Sequence, residues 1–263
     1  MHTISEKTKN KQNLKFTVIT VTLNAEKVIS KTIESILNQS YSPYEYMIID
    51  GLSMDKTVEI AESYRSLFSA KKINYIIKSE KDSGIYNAMN KGIEAASGDF
   101  ISFLNAGDWY QEDSLYKINQ FYQDEPFDLT YGGLNYIYPN GTSTIKMSKP
   151  DQYFVTSRHW NHPSMFLRRE IYQKYGFDEY FRNYADFDLY LKLRKDGTKI
   201  RVIPEVITNF VADGISTNYS PSKTIQRAKE KYISYRNNSY SCLNWFESYG
   251  WEILKSIILR IKS

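Results

Sequence analysis

Cysteine and long apolar runs are both scarce in this sequence of 263 residues. Cys242 is its single cysteine, which excludes an intramolecular disulfide and a cysteine metal cluster and fits a reducing compartment. No stretch approaches the roughly 20 apolar residues that a membrane-spanning helix needs. Residues 1–15 are polar and rich in lysine, without the apolar centre of a signal peptide. These absences predict a cytoplasmic protein.

A strong charge of one sign and a glycine-rich phosphate loop are also missing. The net charge is only +4 and no patch interleaves basic with aromatic residues, so nucleic acid is not an expected partner. The segment after the first predicted strand, Thr22-Leu-Asn-Ala25, has no glycine, unlike dinucleotide and P-loop fingerprints. Zinc-site spacings and a Ser/His/Asp hydrolase elbow are absent as well.

Short β-branched runs alternate with amphipathic helical stretches through the first half of the chain. The predicted strands are 16–23, 45–49, 73–77 and 100–104, and helices are predicted to begin near residues 24, 55 and 85. This alternation indicates βαβ units with a mainly parallel sheet, an α/β fold that binds ligands beyond the carboxyl ends of its strands. Asp50, Asp82 and Asp108 all fall on or near loops at that edge.

The second half is less regular. A helix is predicted over 110–121, strands over 129–131, 133–138 and 144–147, a helix from near Tyr184, and a strand over 200–202. From about residue 220 the composition changes to a helical tail that carries many Lys and Arg side chains. Carboxylates at a ligand-binding edge can hold Mg²⁺ or Mn²⁺, accept hydrogen bonds from a base or ribose, or remove a proton.

Six segments together resemble the inverting family-2 glycosyltransferases of bacterial surface-polysaccharide synthesis. In chain order they read ITVTLNA (19–25), IIDGLSMDKT (48–57), SEKDSGIYNAMNKG (79–92), GDFISFLNAGD (98–108), HPSMFLRR (162–169), and GFD (176–178) with ADFDL (185–189). The resemblance covers about residues 16–195 and implies a GT-A fold. It assigns 16–110 to a nucleotide-sugar-binding half and 111–219 to the acceptor-binding half of the same domain. The composition of residues 220–263 predicts a basic amphipathic helical tail after that domain.

The resemblance implies a donor site at the strand ends. It assigns the base and ribose of a nucleotide diphosphate sugar, a UDP-sugar above all, to Thr22, Asn24 and Asp50. Asp82 and the loop and helix after it would close over the nucleotide, with Gly84, Tyr86, Asn90 and Asn105 among the donor-binding residues. The alternative for Asp50-Gly51 is a simple turn, and for Asp82 a helix cap.

The segment Asn105-Ala-Gly-Asp108 occupies the position of the family's acidic metal-binding motif, and only its last residue is acidic. The resemblance therefore implies a divalent cation, Mn²⁺ or Mg²⁺, with Asp108 as its carboxylate ligand. One carboxylate is workable, because Mg²⁺ usually keeps several waters and binds substrate phosphate. The alternative is that Asp108 caps the helix predicted over 110–121.

Asp186 matches the family's general base, which removes the proton of the attacking hydroxyl. The acidic residue that usually precedes this base is replaced by Ala185. Asp188 lies two residues later, so on a helix it points to another face, and we expect it to pair with Lys192 or to cap the helix. The reversed assignment, with Asp188 as the base, stays open.

Four further residues are weaker candidates for contacts with the acceptor or the phosphates. They are His162, Asp188, Trp109 and Arg168. His159, Arg169 and Trp160 are further candidates of the same kind. Each has a purely structural alternative, because a lone histidine, arginine or tryptophan more often serves packing than catalysis.

The tail from residue 222 combines basic side chains with Trp and Ile, which is typical of a helix that lies at a membrane interface. A lipid-linked oligosaccharide acceptor would be found at such a surface, so we expect a cytoplasmic protein that touches the inner face of the plasma membrane. The alternatives are a helix packed on the catalytic domain and a homodimer interface.

The sequence thus predicts an inverting, metal-assisted hexosyl- or N-acetylhexosaminyltransferase that acts on a glycan or lipid-linked acceptor. The competing hypothesis is a non-catalytic nucleotide- or glycan-binding relative with the same fold, which Ala185 and the reduced metal motif keep open. A sugar nucleotidyltransferase is disfavoured, because such enzymes need a glycine- and Arg/Lys-rich loop after the first strand.

Overall fold

A computed structural model describes residues 13–149, 155–212, 221–254 and 256. The first half alternates strands and helices much as the sequence predicts: β1 (Phe16–Thr22), α1 (Ile29–Leu37), β2 (Glu45–Asp50), α2 (Thr57–Ser63), α3 (Arg65–Ala70), β3 (Asn74–Ser79), α4 (Ile85–Ala95) and β4 (Phe100–Phe103). The second half contains β5 (Trp109–Tyr110), α5 (Ser114–Asp124), β6 (Leu129–Ile137), β7 (Ser143–Lys146), β8 (Phe166–Arg168), α6 (Arg169–Tyr175), α7 (Ala185–Lys195), β9 (Ile200–Val211) and α8 (Pro221–Asn237).

All of these strands belong to one sheet, in the order β3-β2-β1-β4-β8-β6-β9-β5, with β7 paired to β6. The pairs among β1 to β4 are parallel, as predicted. The second half is mixed: β6 and β9 are parallel, whereas β8 runs antiparallel to both β4 and β6, and β5 antiparallel to β9. The reason is that β8 follows an irregular segment instead of a crossover helix, so its direction is not constrained to be parallel.

The core lies on both faces of the sheet because the strands of the first half are apolar on both sides. In β1, Val18 packs in one cluster with α1 and α5, while Ile19 packs in a second cluster with α4, α6 and α7. A strand buried on both faces is expected for a parallel sheet covered by helices. The sheet is therefore fixed as a rigid support whose carboxyl edge carries the loops after β1, β2, β3 and β4.

The strands of the second half are more continuous than the sequence indicated. Strands 129–131 and 133–138 are one strand, β6, with register shifts beside Gly132 and Gly133, and β9 continues nine residues beyond its predicted end at Val202. A Cβ on Gly132 would lie 2.5 Å from Cγ1 of Ile207 and 2.7 Å from the carbonyl oxygen of Glu205, so β9 can approach only because residue 132 has no side chain. The pairing of β9 with β6 extends as far as Val211, the last residue of β9.

The carboxyl-terminal segment is helical, as predicted, and packs on the domain. Helix α8 lies against α7, and two of its basic residues, Arg227 and Lys231, are buried. The structure thus favours the packed alternative for this part of the tail. Residues 255 and 257–263, which belong to the predicted tail, lie outside the side chains that the structure describes. Within the described ranges, no helix is long and apolar enough to cross a bilayer.

Candidate active site

The carboxyl ends of β1, β2 and β3 are level, because Thr22 pairs with Asp50 and Asp50 with Ser79. Asp50 is completely buried there. Its Oδ2 accepts hydrogen bonds from the Ser53 amide (2.9 Å) and the Ser79 hydroxyl (2.6 Å), and its Oδ1 accepts one from the Ser53 hydroxyl. In this structure the Asp50 carboxylate thus organises the loop after β2, and its contact with a nucleotide base stays a prediction.

The loop after β1 is tied to the loop after β2. The Asn24 amide oxygen accepts a hydrogen bond from the Met54 amide (2.8 Å), and the Asn24 backbone donates to the Ser53 hydroxyl (2.7 Å). Asn24 adopts a left-handed conformation, with φ of 51°, which asparagine tolerates better than most residues. The Thr22 hydroxyl is buried and has no hydrogen-bond partner among the described residues. Its contact with a nucleotide stays a prediction.

A short turn after β3 closes one side of the edge. Oδ1 of Asp82 accepts a hydrogen bond from the Gly84 amide (3.0 Å), which leads directly into α4. The guanidinium of Arg182 donates to the Ser83 carbonyl oxygen (2.9 Å) and would lie 3.2 Å from a Cβ on Gly84. With φ of 142°, Gly84 also has a backbone conformation that other residues avoid. The Asp82 carboxylate thus holds the turn before α4, whose N-cap residue is Gly84, and its contact with a nucleotide stays a prediction.

The segment after β4 places Asp108 beside the end of β9. Oδ1 of Asp108 accepts a hydrogen bond from the Val211 amide (2.8 Å), and burial raises the pKa of this carboxyl group to about 7. Asp108 does not cap a helix over 110–121: Trp109 and Tyr110 form strand β5, and α5 begins only at Ser114. The amide oxygen of Asn105 is buried without a hydrogen-bond partner among the described residues.

These two residues fit a partial metal site. A carboxylate and an amide oxygen are hard oxygen ligands of the kind Mg²⁺ and Mn²⁺ accept, and the Asn105 oxygen still lacks a partner. Within the described ranges there is no group of three or more His, Cys, Asp or Glu side chains that could hold a metal alone. An ion at this point would need substrate phosphate and water to complete its coordination.

Asp186 lies in the first turn of α7, where the partial positive charge of the helix terminus favours a carboxylate. Its Oδ1 lies 3.1 Å from the hydroxyl of Tyr86, which comes from the first turn of α4. Its Oδ2 lies 3.8 Å from Nδ1 of His162. The predicted base is thus held between two aromatic side chains from separate elements. Tyr86, which the sequence assigned to donor binding, contacts the predicted general base, and its contact with the donor stays a prediction.

His162 begins a short 3₁₀ helix and is enclosed by aromatic rings. Its ring stacks on Phe103 and meets the edge of Phe177, and its Nε2 has no hydrogen-bond partner among the described residues. Burial lowers the pKa of His162, although the nearby Asp186 opposes that effect. Because Phe103 ends β4, His162 connects Asp186 to the strand that leads to Asn105 and Asp108.

Asp188 faces away from Asp186, as expected. It forms an ion pair with Lys192 (2.7 Å) and accepts a hydrogen bond from the Asn238 amide (3.0 Å), so it connects α7 to α8. Burial raises the pKa of Asp188, against the opposing effect of Lys192. Its weaker assignment to the acceptor site is not supported by this position.

The position of Arg168 does not support its assignment to phosphate binding. Arg168 pairs in the sheet with Phe100, the first residue of β4, and its guanidinium binds Asp128 (2.8 Å) and the Tyr122 hydroxyl (2.8 Å). Because β8 is antiparallel to β4, the carboxyl end of β8 lies at the amino edge of the parallel strands, opposite the site. The sequence could not reveal this direction.

Three other candidates are engaged by the protein itself. The ammonium group of Lys31 covers the Trp109 ring at 3.2 Å from its centre, and the buried Trp160 stacks on Tyr190. Asn90 donates to the Phe177 carbonyl oxygen (2.9 Å) and accepts from the Phe177 amide (2.8 Å), so its side chain holds the loop before α7. Their contacts with donor or acceptor stay predictions.

Sequence reasoning missed two residues that position this loop. Glu230 of α8 accepts hydrogen bonds from the backbone amides of Arg182 (3.1 Å) and Asn183 (2.8 Å), just before α7. Arg182 in turn donates to the Ser83 carbonyl oxygen. One chain of contacts therefore connects α8, the loop before α7 and the turn after β3. Glu230 sits in a stretch rich in lysine, and no sequence signal distinguishes it from a solvent-exposed helix residue.

With this geometry in place, comparison with known proteins assigns the chain to a family. Residues 17–190 match glycosyl transferase family 2, and the chain belongs to that family. It is a glycosyltransferase with a nucleotide-sugar donor and a GT-A fold, related to enzymes of polysaccharide biosynthesis, as the sequence resemblance predicted.

Two curated relatives illustrate the range of the family. The amylovoran biosynthesis glycosyltransferase AmsB of Erwinia amylovora is 27% identical over 76% of this chain and 70% of its own length. A dolichyl N-acetyl-α-D-glucosaminyl phosphate 3-β-D-2,3-diacetamido-2,3-dideoxy-β-D-glucuronosyltransferase of Methanococcus voltae is 29% identical over 92% of this chain and 80% of its own.

Two solved structures share the fold. Residues 1–349 of TarS from S. aureus, in complex with UDP-GlcNAc, superpose with a TM-score of 0.65 and 19% identity, over 92% of this chain and 72% of that one. The mannosyltransferase PcManGT of Pyrobaculum calidifontis, in complex with GDP-Man and Mn²⁺, gives a TM-score of 0.66 and 14% identity, over 94% and 74%.

Proposed function

We propose that this enzyme transfers a hexose or N-acetylhexosamine from a UDP-sugar to a hydroxyl group of a glycan or lipid-linked oligosaccharide, with inversion at the anomeric carbon. The observation that carries the proposal is the position of Asp186, partly exposed at the start of α7 and held by Tyr86 and His162. The neighbouring Asp188 is tied to Lys192 and Asn238, which leaves Asp186 as the acidic residue of this turn that can face a substrate.

The reaction is a single displacement. The acceptor oxygen forms a bond to the anomeric carbon while the bond from that carbon to the diphosphate breaks on the opposite face, and the hydroxyl proton moves to the Asp186 carboxylate. Tyr86 donates its hydroxyl hydrogen bond to one carboxylate oxygen, which leaves the other to accept the proton. A lowered pKa keeps His162 neutral at neutral pH, so it does not pair with Asp186 as a cation.

The donor would lie along the edge formed by Thr22, Asn24, Asp50 and Asp82. The unpaired Thr22 hydroxyl is available for a ligand contact, whereas Asp50 would have to exchange its hydrogen bonds from Ser53 to reach a base. A uridine nucleotide is favoured because TarS, which shares the fold, binds UDP-GlcNAc. Since PcManGT binds GDP-Man, the base is the first property to measure.

A divalent cation, Mn²⁺ or Mg²⁺, would be held by Asp108 with help from the Asn105 oxygen. When bound, such an ion neutralises charge that develops on the leaving diphosphate. Asp108 must be ionised to serve, and its pKa of about 7 means that metal binding competes with a proton near neutral pH. The Mn²⁺ in PcManGT supports this assignment by analogy of fold.

The acceptor is proposed to be a glycan or a lipid-linked saccharide. The name of the Methanococcus voltae relative includes a dolichyl phosphate sugar, and that of the Erwinia relative refers to amylovoran biosynthesis. Either acceptor offers a sugar hydroxyl as the nucleophile, which matches a single carboxylate base.

The first test is a melting-temperature panel with UDP, GDP, CDP and dTDP, each with and without Mn²⁺ or Mg²⁺. A ligand that binds only the folded state raises the melting temperature. We expect a metal-dependent shift with UDP that weakens in Asp108→Ala. The second test uses hydrolysis of the selected donor sugar: Asp186→Asn should abolish turnover and retain the nucleotide shift. A nucleotide shift without any turnover in the wild type would support the non-catalytic alternative, and no shift at all would refute the donor assignment.

A further inference from the structure

The helix that follows α8 has its polar side turned toward the protein and its apolar side toward solvent. Across residues 244–254, which include a π-helical turn at Phe246–Gly250, Asn244, Glu247, Ser248 and Glu252 are buried. The large exposed side chains of residues 243–254 are all apolar or aromatic: Leu243, Trp245, Phe246, Ile253 and Leu254. Phe246 is 68% exposed and Leu243 65%. A surface helix of a soluble protein has the opposite arrangement.

Buried polar contacts fix this orientation. Lys231 of α8 is fully buried and forms an ion pair with Glu247 (2.7 Å), and Glu247 also accepts a hydrogen bond from the Tyr235 hydroxyl (3.2 Å). Glu252 accepts one from the Tyr184 hydroxyl (2.8 Å), two residues before the base. Rotating the helix to bury its apolar side would break the contacts of Glu247 and Glu252. It would also leave Lys231 as a buried unpaired charge. The apolar side is therefore held outward.

The outward side continues onto α8 as a stripe with basic residues. Ile225, Lys229, Tyr232 and Arg236 recur every three or four residues, so they share one side of that helix. The Tyr232 ring lies 6.3 Å from that of Tyr249, which stacks on Trp245 at 5.2 Å. We call the stripe and the exposed residues of 243–254 together the carboxyl-terminal face.

The charge of this region is strongly positive and its acidic residues point inward. Residues 220–263 contain eight Lys or Arg and three Glu, a net charge of +5, whereas the whole chain has +4. The remaining 219 residues therefore carry −1. Glu230, Glu247 and Glu252 are all buried. In the sequence, residues 257–263 continue the same mixture of Ile, Leu, Arg and Lys.

We propose that the carboxyl-terminal face docks on the surface of an anionic lipid membrane. Exposed Trp, Phe, Ile and Leu would enter the boundary between headgroups and acyl chains, while Lys229 and Arg236 would contact anionic headgroups. A second copy of the chain fits less well, because a two-fold interface places the same surface against itself. Lys229 and Arg236 would then face their own copies without an exposed carboxylate from 220–254 to compensate.

Flotation of the full-length protein with vesicles tests this proposal. We expect binding to phosphatidylcholine vesicles that contain phosphatidylglycerol, weaker binding to phosphatidylcholine alone, and a decrease with added salt. Trp245→Ser/Phe246→Ser should lower the partition coefficient about tenfold or more. Lys229→Glu/Arg236→Glu should lower it to a similar extent for the anionic vesicles only. These side chains lie at the surface, so we expect an unchanged melting temperature.

Matched variants elsewhere on the surface distinguish binding through this face from non-specific binding to vesicles. Leu67→Ser/Tyr116→Ser removes apolar side chains of comparable exposure from α3 and α5, and Lys174→Glu/Lys199→Glu reverses two basic charges away from the face. Both should float like the wild type. Equal flotation of all variants, or no flotation of the wild type, would overturn the proposal. A dimer in sedimentation that Trp245→Ser/Phe246→Ser dissociates, without vesicle binding, would make the face a protein interface. None of these readouts depends on turnover.

Discussion

The hydroxyl of Tyr86 lies 3.1 Å from Oδ1 of Asp186, and this contact joins the first turn of α4 to the first turn of α7. Residues 100 positions apart in the chain thus meet at the proposed base. The contact connects the helix that follows the donor-side turn Asp82–Gly84 with the helix that carries the base. The Tyr86 hydroxyl is therefore the contact to change in a test of the proposed base.

Replacing Tyr86 by phenylalanine tests this contact. Tyr86→Phe keeps the ring against Phe177 and removes only the hydrogen bond to Asp186. Because a hydrogen bond to a charged group contributes about 1.5–3 kcal/mol, we expect kcat to fall by about tenfold or more. The KM for the donor should change little. A donor KM that rises while kcat is unchanged would instead assign Tyr86 to donor binding, as the sequence suggested.

We expect Glu230 to position the loop before α7, which leads to the proposed general base Asp186. Glu230→Ala removes the acceptor of the Arg182 and Asn183 amides, so the loop before Asp186 loses its anchor. A small displacement of a catalytic group lowers turnover by about ten- to a hundredfold, and donor affinity should be retained. Glu230→Gln keeps one carbonyl oxygen at the same place and should restore most of kcat. Equal defects in both variants would show that the charge matters, and not the hydrogen bonds.

Replacing Asn90 by alanine tests whether this side chain stabilises the fold or binds the donor. Asn90→Ala removes the two hydrogen bonds to the backbone of Phe177 and one to Glu179, so we expect the free energy of unfolding in urea to fall by about 1–3 kcal/mol. The affinity for the nucleotide, measured by calorimetry, should stay within about twofold. Asn87→Ala is the matched control, because Asn87 contacts Glu179 but not Phe177, and it should lose less stability. A large loss of nucleotide affinity in Asn90→Ala alone would restore its role as a donor contact.

His162 should make the protein sensitive to acid. Its pKa is lowered in the folded state by burial, so below the ordinary value of about 6.5 the unfolded chain takes up a proton that the folded protein does not. The stability is complete above that pH and falls as the pH decreases, by up to about 1.4 kcal/mol for each unit. His162→Phe keeps an aromatic ring among Phe103 and Phe177 and removes the titration. Its unfolding free energy, measured from pH 7 to pH 5, should decline less than that of the wild type.

The local pattern of the first half could be predicted because each element carries its own signal. Alternation of β-branched runs with amphipathic helices located β1 to β4 and α4 within a few residues, and with them the edge that holds Asp50, Asp82 and Asp108. The segment ADFDL located the start of α7 and hence Asp186. In these cases the spacing of apolar residues and the chemistry of strand ends suffice, since both act over a few neighbouring residues.

The direction of β8 and the partners of polar side chains could not be predicted, because they depend on contacts between distant parts of the chain. Arg168 and Asp186 are both charged residues in family-like segments, yet one lies at the far edge of the sheet and the other beside Tyr86 and His162. The extension of β9 was missed because Pro204 interrupts its pattern, and only its pairing with β6 carries it to Asp108.

The sequence by itself determined the fold class and the family, and it predicted the ligand-binding edge and the candidate base, because these follow from periodicity and from short motifs in a fixed order. Tertiary structure alone decided which side chains are engaged by the protein and which face outward. The clearest case is the carboxyl-terminal helix: its composition shows apolar and charged residues together, but only the buried pair Lys231–Glu247 determines which side points to solvent. An unpaired charge in the interior is too unfavourable for any other orientation.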